Sequence, residues 1–150
     1  MGKLIGEIDR WIIGKFKKLE SFIARLAIFV VYFWFGLLKF LGLSPAEPLV
    51  YGLFDKTLGF LNFPVFFSFF ALFEMAIGIL FLAKGFERLA ILFIGVHVFT
   101  TILPLVLLPE IAWQAAFVPT LAGQYIIKNI LIAALAIVIG SRLAPIKSRN

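Results

Sequence analysis

Lys39, Glu74, His97 and Lys128 are ionisable side chains set inside otherwise apolar sequence: "FWFGLLKF" (33–40), "FALFEMAIGIL" (70–80), "IGVHVFTT" (94–101) and "GQYIIKN" (123–129). Their types suggest a division of labour. Two amines can stabilise negative charge on a ligand oxygen. A carboxylate and an imidazole can carry protons. Thr101 and Gln124 add neutral hydrogen-bonding groups that would orient a ligand. A charge in the middle of a bilayer costs at least ~2.5–3.5 kcal/mol, so such residues are read as paired or functional.

Two lysines facing one central carboxylate leave an excess of positive charge. That excess points to a bound anionic or acceptor group, or to a cavity open to water. The competing reading is structural: Glu74 pairs with one lysine, His97 bonds a threonine, and the contacts lock helices together.

Four apolar runs must position these groups: 22–43, 63–83, 87–108 and 121–140. Each is long enough to cross ~30 Å of hydrocarbon as a helix at about 1.5 Å per residue. None alternates polar and apolar residues as a barrel strand would. Counting from the midpoints puts Glu74 and His97 near the centre. Lys128 falls roughly 5 Å and Lys39 roughly 9 Å toward the outer side. Arg25 lies near the inner boundary, where snorkelling accounts for it. Arg25, Ile28, Tyr32, Gly36 and Lys39 step by three or four along one face, which predicts that this stripe turns inward. Phe67, Ala71, Glu74 and Gly78 form the matching face of the second run, and His97, Thr101 and Pro104 that of the third. In the fourth, Gln124 and Lys128 share a face beside a seam of Asn129, Ala133, Ala136 and Gly140. Pro104 predicts a kink, with Thr100 or Thr101 bonding the carbonyl it leaves unpaired.

The 150-residue chain is 63% hydrophobic and its mean hydropathy is +1.09. A soluble domain of this size has no core that would hold so much apolar sequence. The expected fold class is therefore all-α: an integral membrane four-helix bundle. There are no cysteines and a single histidine, which excludes thiol relays, cysteine-ligated iron–sulfur clusters and a bis-histidine haem within the chain. No metal site is expected. The net charge is +6, but without a solvated basic domain nucleic acid is a poor partner; membrane lipid is the expected one.

The basic residues set the topology. Lys3, Arg10, Lys15, Lys17 and Lys18 precede the first span, Lys84 and Arg88 flank the turn "KGFE" (84–87), and Arg142, Lys147 and Arg149 follow the fourth span. By the positive-inside rule both termini are cytoplasmic. Residues 1–21 read as a separate amphipathic helix in the inner headgroup layer, with Leu4, Ile5, Ile8, Trp11, Ile12 and Phe16 at helical spacing. The transmembrane domain then covers 22–143 and a tail 144–150. In the first outer loop, "SPAE" (44–47) suggests a helix start capped by Ser44 and Glu47. "PEIAWQAAFVPT" (109–120) is too apolar to stand in water, so both outer loops are expected to cover the bundle end.

The stretches 33–40, 70–80 and 123–129, with "TTILPLVLLPEIAW" (100–113) after the third span, in this order and spacing resemble the DoxX-like membrane proteins, especially the branch that includes the reactive-chlorine resistance inner-membrane protein. The likeness spans about residues 22–143. It implies a four-helix bundle in the bacterial inner membrane and, more loosely, a link to quinone-dependent redox or oxidative-stress systems. It carries over Lys39, Glu74, Gln124 and Lys128. The expected function is a quinone- or small-anion-binding subunit, with Lys39, Glu74, His97, Thr101, Gln124 and Lys128 around the ligand and quinone as the possible cofactor. It would act beside a partner redox protein or in a homo-oligomer. The alternative is a structural or accessory subunit without ligand chemistry.

Overall fold

The structure is a computed structural model that describes residues 2–145. Lys147 and Arg149, counted in the basic tail, lie outside the described residues, as does most of the 144–150 segment. The elements are α1 (Gly2–Phe40), α2 (Glu47–Leu58), α3 (Phe63–Leu82), α4 (Glu87–Ile102), α5 (Pro104–Leu107), α6 (Pro109–Ala112), β1 (Trp113–Ala115), β2 (Val118–Pro119) and α7 (Leu121–Gly140). Four helical stretches are long and apolar enough to cross a membrane: Leu4–Phe40, Phe63–Leu82, Glu87–Leu107 and Leu121–Gly140. The chain is an all-α, multi-pass membrane protein with one small β-hairpin.

The four long helices close into a ring in which α1 packs on α3, α3 on α4, α4 on α7 and α7 on α1. Glycine sets the closest of these approaches. A Cβ at Gly36 would come within 2.8 Å of the Ala71 carbonyl oxygen, and one at Gly78 within 3.0 Å of the Phe33 nitrogen. One glycine from each helix thus brings the α1 and α3 backbones together. The α3–α4 connection turns through Gly85 at φ +90°, making the two helices antiparallel neighbours. Ion pairs tie off the end of the bundle that carries both termini: Arg25 Nη1 lies 2.8 Å from Glu87 Oε1, and Arg142 binds Glu20. Arg25 therefore has a protein partner, where the sequence suggested only snorkelling.

Two expectations are corrected. The first helix is not divided at residue 21. Nothing between Ser21 and Phe40 interrupts it, and Gly14 alone costs too little to break it. At about 1.5 Å per residue its 39 residues extend roughly 58 Å, nearly twice the hydrocarbon thickness. Second, α2 begins at Glu47 rather than at the "SPAE" start. Its N-cap is Ala46, without a side-chain cap, and proline stands at its first positions, where the missing N–H costs nothing. Ser44 Oγ instead accepts from the Ala46 N–H.

Layering decides where chemistry can occur. On the side of the termini the core is wholly aliphatic and aromatic apart from the Tyr32 hydroxyl: Ile28, Ile77, Phe81, Ala90, Ile94 and Ile139 pack there. On the opposite side α2 and the 109–119 segment roof the ring. Lys56 Nζ clamps that roof, bonding the Leu107 carbonyl at 2.8 Å and Glu110 Oε1 at 3.1 Å. The hairpin within it turns on Phe117 at φ +59°.

Candidate functional site

Above the apolar layer, the helical stripes read from the sequence bring ionisable groups together. Lys39, Glu74 and His97 are 7%, 5% and 7% exposed, and Tyr32 is 4% exposed. His97 Nε2 lies 2.8 Å from Glu74 Oε1, and the Tyr32 hydroxyl lies 3.1 Å from His97 Nδ1. An ionised carboxylate can only accept, so Nε2 donates to Glu74, and in the neutral tautomer that this selects Nδ1 accepts from Tyr32. Lys39 Nζ sits 2.7 Å from Glu74 Oε2 as an ion pair, and that oxygen has no aligned hydrogen bond among the described residues. The result is one polar line, Tyr32–His97–Glu74–Lys39, drawn from α1, α4, α3 and α1 again. Phe70 walls it: its ring stacks on His97 at 5.5 Å and 10°, and Lys39 Nζ lies 5.7 Å from its centroid.

The expected convergence of two lysines is not what the structure shows. Lys128 and Gln124 are exposed on the outside of α7, and Lys128 Nζ lies 4.8 Å over the Tyr125 ring. The reason is rotation about the helix axis. The buried face of α7 runs through Gly123, Ile126, Ala136 and Ile139. Lys128 stands two residues past Ile126, about 200° round the helix at about 3.6 residues per turn, and Gln124 shares its outward face. Lys39 instead follows the inward stripe of Ile28, Tyr32 and Gly36 on α1. The buried charges thus cancel, Lys39 against Glu74, and the predicted positive excess disappears.

Thr101 also lies apart. Its hydroxyl bonds the Val98 carbonyl at 3.0 Å and meets Asn129 Nδ2 at 3.4 Å, joining α4 to α7. Thr100 bonds the His97 carbonyl at 2.8 Å. Neither hydroxyl reaches the Thr100 carbonyl that Pro104 leaves unpaired, contrary to expectation. Pro104 does interrupt the helix, with Leu103 between α4 and α5. Tyr32 was visible on the inward stripe without a role; its place seven residues before Lys39 was the available signal.

A row of aromatic rings runs from this line to the roof. Phe70 stacks on Phe66, Phe66 meets Phe54 at 4.9 Å, and Phe54 meets Phe63 at 5.2 Å. Phe63 also lines an open groove of about 550 Å³ with Ser44, Pro45, Glu47, Pro48 and Tyr51. Among the described residues no three His, Cys, Asp or Glu side chains gather as a metal-holding group. A phenol, an imidazole, a carboxylate and an ammonium in such contact have the chemistry to hold and hand on protons, and the lysine end can donate to an oxygen acceptor. Comparison with family models, curated proteins and solved structures returned no match.

Proposed function

We propose that this chain is a quinone-binding subunit of a membrane redox system, in which the Tyr32–His97–Glu74–Lys39 line handles protons at the ligand headgroup. One observation carries the reading: four polar groups, with an imidazole between a phenol and an ion-paired carboxylate, follow one another at 3.1, 2.8 and 2.7 Å in the bundle interior. Quinone reduction consumes protons together with electrons, and the ligand partitions into the bilayer where this line lies. Its ring would lie against Phe70, with a carbonyl oxygen toward Lys39. Electrons would come from a partner, since the chain has no cysteine to hold a cluster. The small-anion alternative loses its support once Lys128 is outside the bundle. The likeness of the span motifs to DoxX-like proteins supports the same assignment, as does the basic excess for an inner membrane with cytoplasmic termini.

The test is quinone affinity of the purified chain in detergent or nanodiscs. Lys39→Met/Glu74→Gln, which removes both charges together, is expected to weaken binding by about tenfold or more, the equivalent of one charge-assisted hydrogen bond of about 1.5–3 kcal/mol. Lys128→Met is expected to bind normally. Unchanged affinity in the double variant refutes the reading.

Charge balance favours a second reading, a purely structural lock within an accessory subunit. It predicts that the double variant folds, assembles and binds no differently.

A further inference from the structure

The first 18 described residues of α1 belong to no part of the bundle. Arg25–Glu87 and Arg142–Glu20 mark where the packed bundle ends. From there to Phe40 the helix is about 28 Å long, one hydrocarbon thickness. The remaining arm, Gly2–Leu19, projects about 27 Å further by the same rise.

Two stripes run the whole length of the helix. One passes through Glu7, Arg10, Gly14, Lys18 and Ser21 into the half-buried Arg25 and the buried Ile28, Tyr32, Gly36 and Lys39. It is polar along the arm and faces the other helices in the bundle. On the opposite side Ile5, Ile8, Ile12, Phe16 and Leu19 continue directly into Ile23, Leu26, Val30 and Trp34, all of them exposed. The arm's apolar side is therefore an extension of the lipid-facing side of the span. When the arm leans away from the bundle, that side turns toward the bilayer. Were it to fold under the bundle, the polar stripe would meet the membrane instead. Arg10, Lys15, Lys17 and Lys18 outnumber Glu7 and Asp9 on the arm. Trp11 lies on the margin of the apolar side, with Lys15 Nζ 5.6 Å from its ring centroid, a pairing suited to the headgroup layer.

We infer that the arm is an anionic-phospholipid docking element that bends outward at the bundle edge, near Ser21, to lie along the leaflet on the side of the termini. The continuity of its apolar stripe with the lipid-facing span selects the bilayer as occupant, and its basic excess selects negatively charged headgroups.

The experiment uses the full chain with Trp11 as sole tryptophan (Trp34→Phe, Trp113→Phe), reconstituted in phosphatidylcholine vesicles with and without phosphatidylglycerol. Bromine labels on the lipids report depth. In anionic vesicles Trp11 is expected to emit to the blue and to be quenched most by bromines near the headgroup. Arg10→Gln/Lys15→Gln/Lys17→Gln/Lys18→Gln is expected to lose that anionic dependence. Water-like, unquenched Trp11 emission in anionic vesicles overturns the inference. So does equal seating in both lipids, and so does dimer formation by an Ile12→Cys variant, which would make a second copy the occupant.

Discussion

Replacing Lys39 by methionine should be among the most damaging single changes in this protein, and the damage should be largely reversed by Glu74→Gln. At 2.7 Å, two unit charges attract by about 6 kcal/mol at an effective dielectric constant of about 20. Desolvating both groups offsets much of that, so the intact pair adds little net stability. Breaking it is different. Lys39→Met leaves the buried Glu74 carboxylate, 5% exposed in the intact protein, with only His97 beside it, and stranded buried charges of this kind cost about 3–5 kcal/mol. Lys39→Met/Glu74→Gln removes both charges at nearly constant volume, and its amide can still accept from His97 Nε2. We expect the double variant to lose no more than about 1.5 kcal/mol, the usual limit for volume-conserving exchange. The rescue relative to Lys39→Met, about 2–4 kcal/mol, is read by denaturant unfolding in mixed micelles, and adding Glu74→Gln alone completes the double-mutant cycle that gives the coupling. Additive single effects, or a Lys39→Met cost below about 1 kcal/mol, would show that Lys39 reaches water and that the polar line is not buried.

The remaining predictions concern neighbouring parts of the fold. Tyr32→Phe leaves His97 Nδ1 buried without a donor and should cost about 1–3 kcal/mol in the same assay, while ¹⁵N spectra of the wild-type ring should show the Nε2-protonated tautomer. Gly36→Ala should destabilise the α1–α3 pair by about 1–3 kcal/mol, because its methyl group would meet backbone rather than a flexible side-chain tip alone. Gly123→Ala should loosen the roof, since the added carbon would run into the Ala112 carbonyl; faster proteolysis within 109–120 would report it. The Glu110 carboxyl is held below its usual range by its own backbone N–H and then by Lys56. The unfolded state therefore takes up the proton first, and the roof clamp is complete above about pH 4.5, weakening as pH falls through the lower folded value. Amide exchange in α2 should accelerate there, and Lys56→Gln should reduce the acid sensitivity.

Much of this site could be read from residue spacing because membrane helices enforce it. Backbone polar groups must be satisfied within each span, so a three–four stripe holding Gly36, Tyr32 and Lys39 had one sensible direction to face. The same logic found Glu74 among small residues and His97 opposite it. Depth counting then failed for Lys128 because depth says nothing about which way a helix is turned. α7 offered two faces, and it buries the small-residue side with Gly123, Ile126 and Ala136, which leaves Gln124 and Lys128 outside. The undivided α1 was also within reach, since no proline or glycine stands between Leu19 and Tyr32. The β-hairpin was not. Its strands are two and three residues long, and what fixes them lies far from local pattern: Trp113 Nε1 bonds the Leu105 carbonyl at 2.8 Å, and Thr120 bonds the carbonyls of Ile111 and Ala112.

The aliphatic floor beneath Tyr32 gives the molecule a direction. Between His97 and the first turn of α4 lie about 15 Å along the helix, packed by hydrocarbon in which, among the described core residues, Tyr32 alone carries a polar group. Lys39, by contrast, stands one residue from the far end of its helix. Glu74 is thus far from the surface that carries the termini and close to the roofed one, so a group coming from water has its shorter way in from a single side of the molecule.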